Sequence, residues 1–143
     1  MSFCTIKMKM SNYKETAGRW LEQANDDLTE AKFSFERGKF SYACFLAEQS
    51  AQKSLKGFMI YNKDLNIQIH AISELLKRTV KFNKRFSDLI DRGKELDKYY
   101  LGTRYPDALP EPLVPSQSFT KKEANEAVET AQRIFDLVRA SEK

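Results

Sequence analysis

The stretch FSYACFLAEQSAQKSLKGFMIY, residues 40–61, decides the fold of this 143-residue chain. Apolar side chains recur every fourth residue and spread to both sides of that stripe, so the pattern predicts a long helix buried on several sides. Ala43, Ala47 and Ala51 form a ridge of small residues that lets a neighbouring backbone approach closely. The remaining polar strip consists of Glu48, Gln49, Gln52, Lys53 and Lys56. We expect the other segments to pack around this helix.

Helices are also predicted on both sides of the central one. Apolar spacing predicts a first helix over residues 13–37, and Gly38 ends it, so the short link to the central helix requires an antiparallel hairpin. A short helix is predicted over residues 67–79 and a fourth over residues 84–100. The last helix begins at the capping box of residues 120–123. The predicted fold class is therefore all-α.

The chain has the length of one domain. Residues 1–12 show no helical periodicity and are predicted to be a loose N-terminal arm, so a single domain covers residues 13–143. Gly93 costs about 1 kcal/mol relative to alanine inside a helix, and close helix contact would explain it. The proline-rich segment over residues 102–118 is long for a connector, and such loops usually carry function or are disordered.

Composition limits the classes of protein to be considered. The chain has 24 basic and 20 acidic residues, a net charge of +4 and a pI near 9.0, a balance that favours anionic partners. Cys4 and Cys44 lack metal-ligand spacing, so we expect Cys44 to be a core residue and the compartment to be reducing. No apolar run suits a signal peptide or approaches the roughly 20 residues that cross a bilayer. We therefore expect a cytoplasmic protein without a membrane segment.

Residues at fixed places in four segments together form a fairly specific pattern. They are Trp20, Ala24, Asp27, Leu28 and Ala31 in the first helix; Tyr42, Ala43, Cys44, Phe45, Ala47, Gln49, Ala51, Lys53, Leu55 and Lys56 in the second; His70; and Arg104, Tyr105, Pro106 and Asp107. In this pattern the chain resembles the HEPN domain, a helical domain named for its occurrence in higher eukaryotes and prokaryotes and for nucleotide binding. The family commonly has Glu where this chain has Gln52.

The resemblance implies an antiparallel, up-and-down four-helix bundle with an additional short helix, often assembled as a homodimer. It also implies a minimal nucleotidyltransferase as partner, in systems of toxin–antitoxin type. Catalytic HEPN ribonucleases carry an Arg that is followed, after four to six residues, by a His. The one histidine here is His70, and the corresponding positions hold Lys63, Asp64 and Leu65, so this motif is absent.

The loop after the fourth helix supplies three of the six candidate ligand-binding residues. Arg104 offers a planar fork for phosphate or carboxylate, Tyr105 offers a stacking face, and Asp107 completes the group. We expect loss of Arg104 to weaken nucleotide binding by roughly ten- to a hundredfold. In the alternative, Arg104 pairs with Asp107 or Asp97 and ties the loop to the bundle.

The other three candidates are Lys53, Lys56 and His70. The two lysines lie on the polar strip of the central helix and could reach the end of the bundle where His70 and Arg104 gather. The alternatives are a solvated helix face for the lysines and a packed or capping role for the histidine. One histidine and two distant cysteines leave no apparent metal cluster, and we expect no cofactor.

A weaker candidate for nucleic-acid binding is the turn between the third and fourth helices. Basic residues interleaved with aromatic ones suit single-stranded nucleic acid. The basic residues are Lys77, Arg78, Lys81, Lys84 and Arg85, and the aromatic ones are Phe82 and Phe86. In the alternative, the two phenylalanines anchor the turn in the core.

The resemblance thus implies a HEPN-domain protein that binds a nucleotide or nucleic acid and acts with a minimal nucleotidyltransferase, and the missing motif predicts that it has no catalysis of its own. Two alternatives stay open: a ribonuclease toxin with an unrecognised site, and a purely structural dimeric interaction module. The alanine ridge and the excess of apolar surface on the first two helices predict a symmetric homodimer.

Overall fold

A computed structural model describes residues 12–100, 102–103 and 105–142 of the protein. These residues form α-helices and short 3₁₀ turns, and no strand occurs among them, which confirms the all-α class. The helices are α1 (Tyr13–Glu36), α2 (Phe40–Tyr61), α3 (Ile72–Thr79), α4 (Ile90–Asp97) and α5 (Lys121–Ser141). The predicted N-terminal arm, apart from Asn12, lies outside the described residues, as does Cys4.

The predicted hairpin of α1 and α2 is present. Gly38 has a φ of 75°, a left-handed conformation that glycine adopts without strain, and it turns the chain directly into α2. The Ser50 hydroxyl donates to the Ala24 carbonyl at 2.7 Å, which holds the two helices side by side. Ala43, Ala47 and Ala51 are fully buried within this single chain, so the alanine ridge is part of the core of the bundle.

Two further helical segments complete the bundle around α2. A 3₁₀ segment, Lys84–Leu89, continues into α4, and this composite segment runs antiparallel to α5. Asn83 Nδ2 donates to Ser141 Oγ at 2.8 Å at one end, and Tyr99 packs on Phe119 at the other. The short α3 is the additional helix. No helix among the described residues has both the length and the apolar character that a membrane span requires.

Two predicted helices differ from those observed. The third was predicted from residue 67 but begins at Ile72, because the Asp97 carboxylate accepts hydrogen bonds from the backbone N–H groups of Ile72 and Ser73. This cap comes from a neighbouring helix, so local sequence could not reveal it. The fourth was predicted as continuous over residues 84–100, but its first part is a 3₁₀ segment and α4 ends at Asp97.

The close approach predicted at Gly93 is present. A Cβ atom at this position would lie 3.2 Å from Ile72 Cγ2, and it would also meet the Leu76 side chain. The predicted capping box is confirmed as well, since Thr120 Oγ1 accepts from the Glu123 N–H at 3.1 Å and Glu123 Oε1 accepts from the Thr120 N–H at 3.0 Å. The predicted core residue Cys44 is fully buried.

Candidate functional site

A row of polar side chains lies inside the protein along α2. Glu48, Gln52 and Lys56 are each one helical turn apart, and their exposed fractions are only 0%, 7% and 6%. For Lys56 this burial contradicts the alternative of a solvated helix face. The segment before α3 lies beside this row, and its residue His70 contacts Gln52 and Lys56.

Hydrogen bonds link the row from one end to the other. Glu48 Oε2 accepts from Gln52 Nε2 at 2.9 Å, and Gln52 Oε1 accepts from the Lys56 ammonium at 2.8 Å. Gln49 Nε2 donates to the second Glu48 oxygen at 2.7 Å. Burial lowers the pKa of Lys56, although the negative charge of Glu48 acts in the opposite direction. The row therefore carries a buried negative charge at one end and a buried positive charge at the other.

The outer end of the row is covered by two rings. His70 Nδ1 lies 3.2 Å from Gln52 Oε1 and 3.5 Å from Lys56 Nζ. The imidazole stacks on Tyr100, with the ring centroids 5.6 Å apart and the planes inclined by 15°. His70 itself is exposed, so its ring separates the buried row from solvent. We call Gln52, Lys56, His70 and Tyr100 the Lys56–His70 cluster.

The position of His70 depends on the cap of α3. Asp97 accepts from the Ser73 hydroxyl at 2.6 Å in addition to the backbone N–H groups at the start of the helix. These bonds fix the start of α3, and His70 lies two residues before it. Asp97 therefore has a capping role. Its predicted alternative partner, Arg104, lies outside the described residues.

The loop candidates take different positions. Tyr105 is 49% exposed, and Asp107 is exposed in the 3₁₀ turn Pro106–Ala108. Because Arg104 is outside the described residues, the proposed grouping of Arg104 with its two neighbours stays a prediction.

Lys53 faces a different part of the protein from Lys56. Its ammonium lies 2.6 Å from Asp27 Oδ2, and Asp27 also accepts from Gln23 Nε2 at 3.1 Å. Both partners belong to α1. The structure therefore brings Lys56 and His70 together but directs Lys53 towards α1.

The basic turn is partly neutralised by acidic residues. Arg78 Nε donates to Asp64 at 2.9 Å, and Lys81 lies 3.6 Å from the same carboxylate. Burial alone would raise the pKa of Asp64, but hydrogen bonds from Arg78 and from the Asn66 backbone N–H, together with the positive charges of Arg78 and Lys81, lower it. Lys77 lies 3.5 Å from Glu74. Three of the five basic residues thus have acidic partners.

The aromatic residues of the same turn belong to the core. The Phe82 and Phe86 rings lie 6.0 and 5.1 Å from the Phe58 ring, in agreement with the alternative that they anchor the turn. Lys84 and Arg85 are exposed, and Arg85 borders a groove that also contains Arg133. Asp88 and Asp136 line the same groove, so its charges are mixed, and neither phenylalanine is presented for stacking.

A separate groove of about 590 Å³ lies between α4 and α5. Its wall is mainly acidic and includes Asp91, Glu95, Glu123, Glu126 and Glu129. Among the described residues, no three His, Cys, Asp or Glu side chains are grouped so that they could hold a metal ion. This acidic surface does not suit the phosphate ligand that the basic candidates predict.

The sequence predicted that Glu48 and Gln52 lie on a polar strip and that Tyr100 lies on the buried line of the fourth helix, but it did not reveal the buried network or the contact of Tyr100 with His70. A signal for the network was present. Glu48, Gln52 and Lys56 repeat every fourth residue on a helix that is otherwise apolar almost all round. A polar row on such a helix often faces protein, where its groups must bond to one another.

Three solved structures are similar to this chain in fold and in sequence. TT1696 from Thermus thermophilus is 37% identical with a TM-score of 0.78, over 88% of this chain and 98% of that one. The archaeal HEPN homologue ST0689 is 32% identical with a TM-score of 0.74, over 90% and 98% of the two chains. An HEPN domain protein from Thermotoga maritima, TM0613, is 25% identical with a TM-score of 0.65, over 85% and 95%.

Human sacsin contains a related segment. It is 26% identical over 119 residues, or 79% of this chain, and this chain spans only 2% of the length of sacsin. The profile of the HEPN domain matches residues 17–141, which is nearly the whole described structure. Together with the helical neighbours, this match shows that the chain belongs to the HEPN domain family.

Proposed function

We propose that this protein binds a nucleotide, or a nucleotide unit of a nucleic acid, at the Lys56–His70 cluster. The observation that carries the proposal is a buried lysine ammonium directly beneath an exposed imidazole that stacks on a tyrosine. An ammonium favours phosphate oxygens, and aromatic rings beside it favour a base or sugar. Both kinds of group meet here within a few ångströms.

The buried ammonium at the outer end of the row supports an anionic ligand. Burying an ammonium is unfavourable unless negative charge compensates for it, and Glu48 lies two helical turns away from Lys56. A phosphate bound at the outer end of the row, where the row meets solvent, would add negative charge that compensates for the Lys56 ammonium. Arg104 follows Tyr100 by four residues, so we retain it as an expected second phosphate contact.

Two lysines of the same helix provide a matched test. We expect Lys56→Met to weaken nucleotide binding roughly ten- to a hundredfold, because it removes a charge-assisted hydrogen bond. Lys53→Met removes the same charge from α2 at a site directed towards Asp27, so it should leave the affinity nearly unchanged. Calorimetric titration of wild type and both variants with a panel of nucleotides measures this.

The proposal fails if wild type binds no nucleotide at millimolar concentration, or if both variants lose affinity equally. Arg104→Ala belongs in the same series together with melting curves. A loss of affinity supports the phosphate contact, whereas a lower melting temperature with unchanged affinity indicates that Arg104 only ties the loop to the bundle.

We further propose that the protein does not cleave RNA. The sequence lacks the paired Arg and His of catalytic HEPN ribonucleases, with Lys63, Asp64 and Leu65 at the corresponding positions. The assay is incubation of highly purified protein with labelled RNA. Cleavage that disappears in His70→Ala or Arg104→Ala would instead support the ribonuclease alternative.

Partnership is proposed on the family resemblance. A minimal nucleotidyltransferase is the expected partner, in a system of toxin–antitoxin type, and a homodimer is the expected assembly. A small nucleotidyltransferase reading frame beside the gene, whose product co-purifies with this protein, would support the pairing. Its absence would favour the alternative of a dimeric interaction module.

A further inference from the structure

The orientation of the Gln52 amide is determined by its two neighbours. A carboxylate can only accept hydrogen bonds, so the amide atom 2.9 Å from Glu48 Oε2 must be the N–H donor Nε2. An ammonium can only donate, so the amide atom 2.8 Å from Lys56 Nζ must be the oxygen Oε1. The two constraints are independent and they agree.

This orientation has a consequence for His70. Nδ1 of the imidazole lies 3.2 Å from Gln52 Oε1, which can only accept. An unprotonated Nδ1 would direct its lone pair against that oxygen, whereas a protonated one would donate a hydrogen bond. The contact between Nδ1 and Lys56 Nζ is longer, at 3.5 Å, and lies beyond the usual range for an N–H donor.

We propose that Gln52 is a positioning residue that holds neutral His70 in the tautomer protonated at Nδ1. The ring then presents an Nε2 atom that accepts hydrogen bonds, and the stack on Tyr100 fixes the plane of the ring. Glu48 acts on His70 indirectly, because it accepts a hydrogen bond from the Gln52 amide and so orients that amide. The glutamine that replaces the common family Glu thereby links a buried carboxylate to the exposed ring.

The tautomer specifies which part of a ligand His70 contacts, and this step rests on the proposed function. A neutral Nε2 acceptor does not bind an ionised phosphate oxygen, which is also an acceptor. It binds a donor, such as a ribose hydroxyl or the exocyclic amine of a base. In a bound nucleotide, Lys56 contacts the phosphate and His70 contacts the nucleoside.

The test is direct because the chain has a single histidine. Long-range ¹H–¹⁵N NMR spectra of the ligand-free full chain, recorded at about pH 8 where an ordinary imidazole is neutral, identify the protonated nitrogen. Nε2 couples to both carbon-bound ring protons, and Nδ1 couples mainly to one. We expect the protonated nitrogen to be Nδ1. Protonation at Nε2 in wild type would overturn the proposal.

Two substitutions of Gln52 distinguish an effect on the His70 tautomer from an effect on the stability of the protein. Gln52→Leu removes the acceptor and should shift the tautomer ratio towards Nε2–H by roughly two- to tenfold. Gln52→Glu keeps an acceptor beside Nδ1 and should retain the Nδ1–H tautomer. The proposal is overturned if Gln52→Leu, or Gln52→Met should the leucine variant not fold, leaves the ratio unchanged. These spectra need no ligand, so a failure to bind nucleotide would overturn the proposed function without touching this assignment.

Discussion

At the scale of single residues, Lys53 and Lys56 show that the surroundings of a side chain depend on segments distant in sequence. They lie three positions apart on one polar strip, yet Lys53 pairs with Asp27 and Lys56 is buried beneath His70. The sequence predicted that both lysines were candidates for ligand binding. It could not separate them, because the contact of Lys56 with His70 depends on the position of the segment before α3, next to the start of the helix that Asp97 caps.

Glu142, at the end of α5, is a residue whose burial gives stability a pH dependence. Burial raises the pKa of its carboxyl to about 7, and its Oε2 atom has no hydrogen-bond partner among the described residues. Between the ordinary carboxyl pKa of 4.5 and about 7, the folded chain holds a proton that the unfolded chain has released. This group therefore makes the protein less stable as pH rises through that window.

We predict that Glu142→Gln is more stable than wild type at pH 8 and that the difference nearly disappears at pH 5. The gain should be about 1 kcal/mol, less than the full shift implies, because the side chain is only partly buried. Urea denaturation at the two pH values measures it. Glu126→Gln, an exposed change on the same helix, is the control, and an equal effect of both variants would contradict the assignment.

At the scale of helices, the sequence predicted the helix bounds correctly wherever local signals determine where a helix begins and ends. The central helix was predicted over residues 40–61 and is observed as Phe40–Tyr61, and α5 begins at the predicted capping box. The start of α3 was predicted five residues too early, because its cap is the Asp97 side chain from α4. Secondary structure that depends on a tertiary hydrogen bond has no local signature.

The contact of α1 with α2 predicts opposite effects for two glycine substitutions. At Gly57 a Cβ atom would lie 3.0 Å from Trp20 Cβ and 3.3 Å from the Ala17 carbonyl oxygen, so Gly57→Ala should destabilise by about 1–3 kcal/mol. At Gly18 nothing lies within 4 Å of such an atom, so Gly18→Ala should stabilise by about 0.5–1 kcal/mol. Chemical denaturation of both variants compares them. Stabilisation by Gly57→Ala would show that the helices are not in tight contact there.

At the scale of the whole molecule, a homodimer would depend on residues other than those the sequence indicated. The alanine ridge was expected to exceed what one bundle needs, but Ala43, Ala47 and Ala51 are buried within the single chain. The exposed large apolar residues among those described include two aromatic residues on the hairpin, Phe33 at 51% and Tyr42 at 55%, while Tyr105, Leu113 and Val114 lie in the proline-rich loop. The sequence identified the correct family and fold class, but it could not say which apolar residues the monomer itself would bury.

We predict that the protein is a dimer at micromolar concentration and that replacing both Phe33 and Tyr42 with serine shifts it towards monomer. Removing two exposed aromatic side chains weakens an interface that depends on them and should cost the monomer little. Light scattering of wild type and the double variant measures the mass, with Tyr105→Ser as an exposed control in the loop. A wild-type protein with the mass of one chain would refute the dimer.

The proposal that a nucleotide binds at the Lys56–His70 cluster is tested most directly by NMR, by following the two carbon-bound ring protons of His70 during titration with ATP. Because the chain has one histidine, these signals report on this site alone. We expect saturable shifts that persist in Lys53→Met and require roughly ten- to a hundredfold more ATP in Lys56→Met. If calorimetry shows ATP binding while the His70 signals do not move, the nucleotide binds elsewhere and the proposed site is wrong.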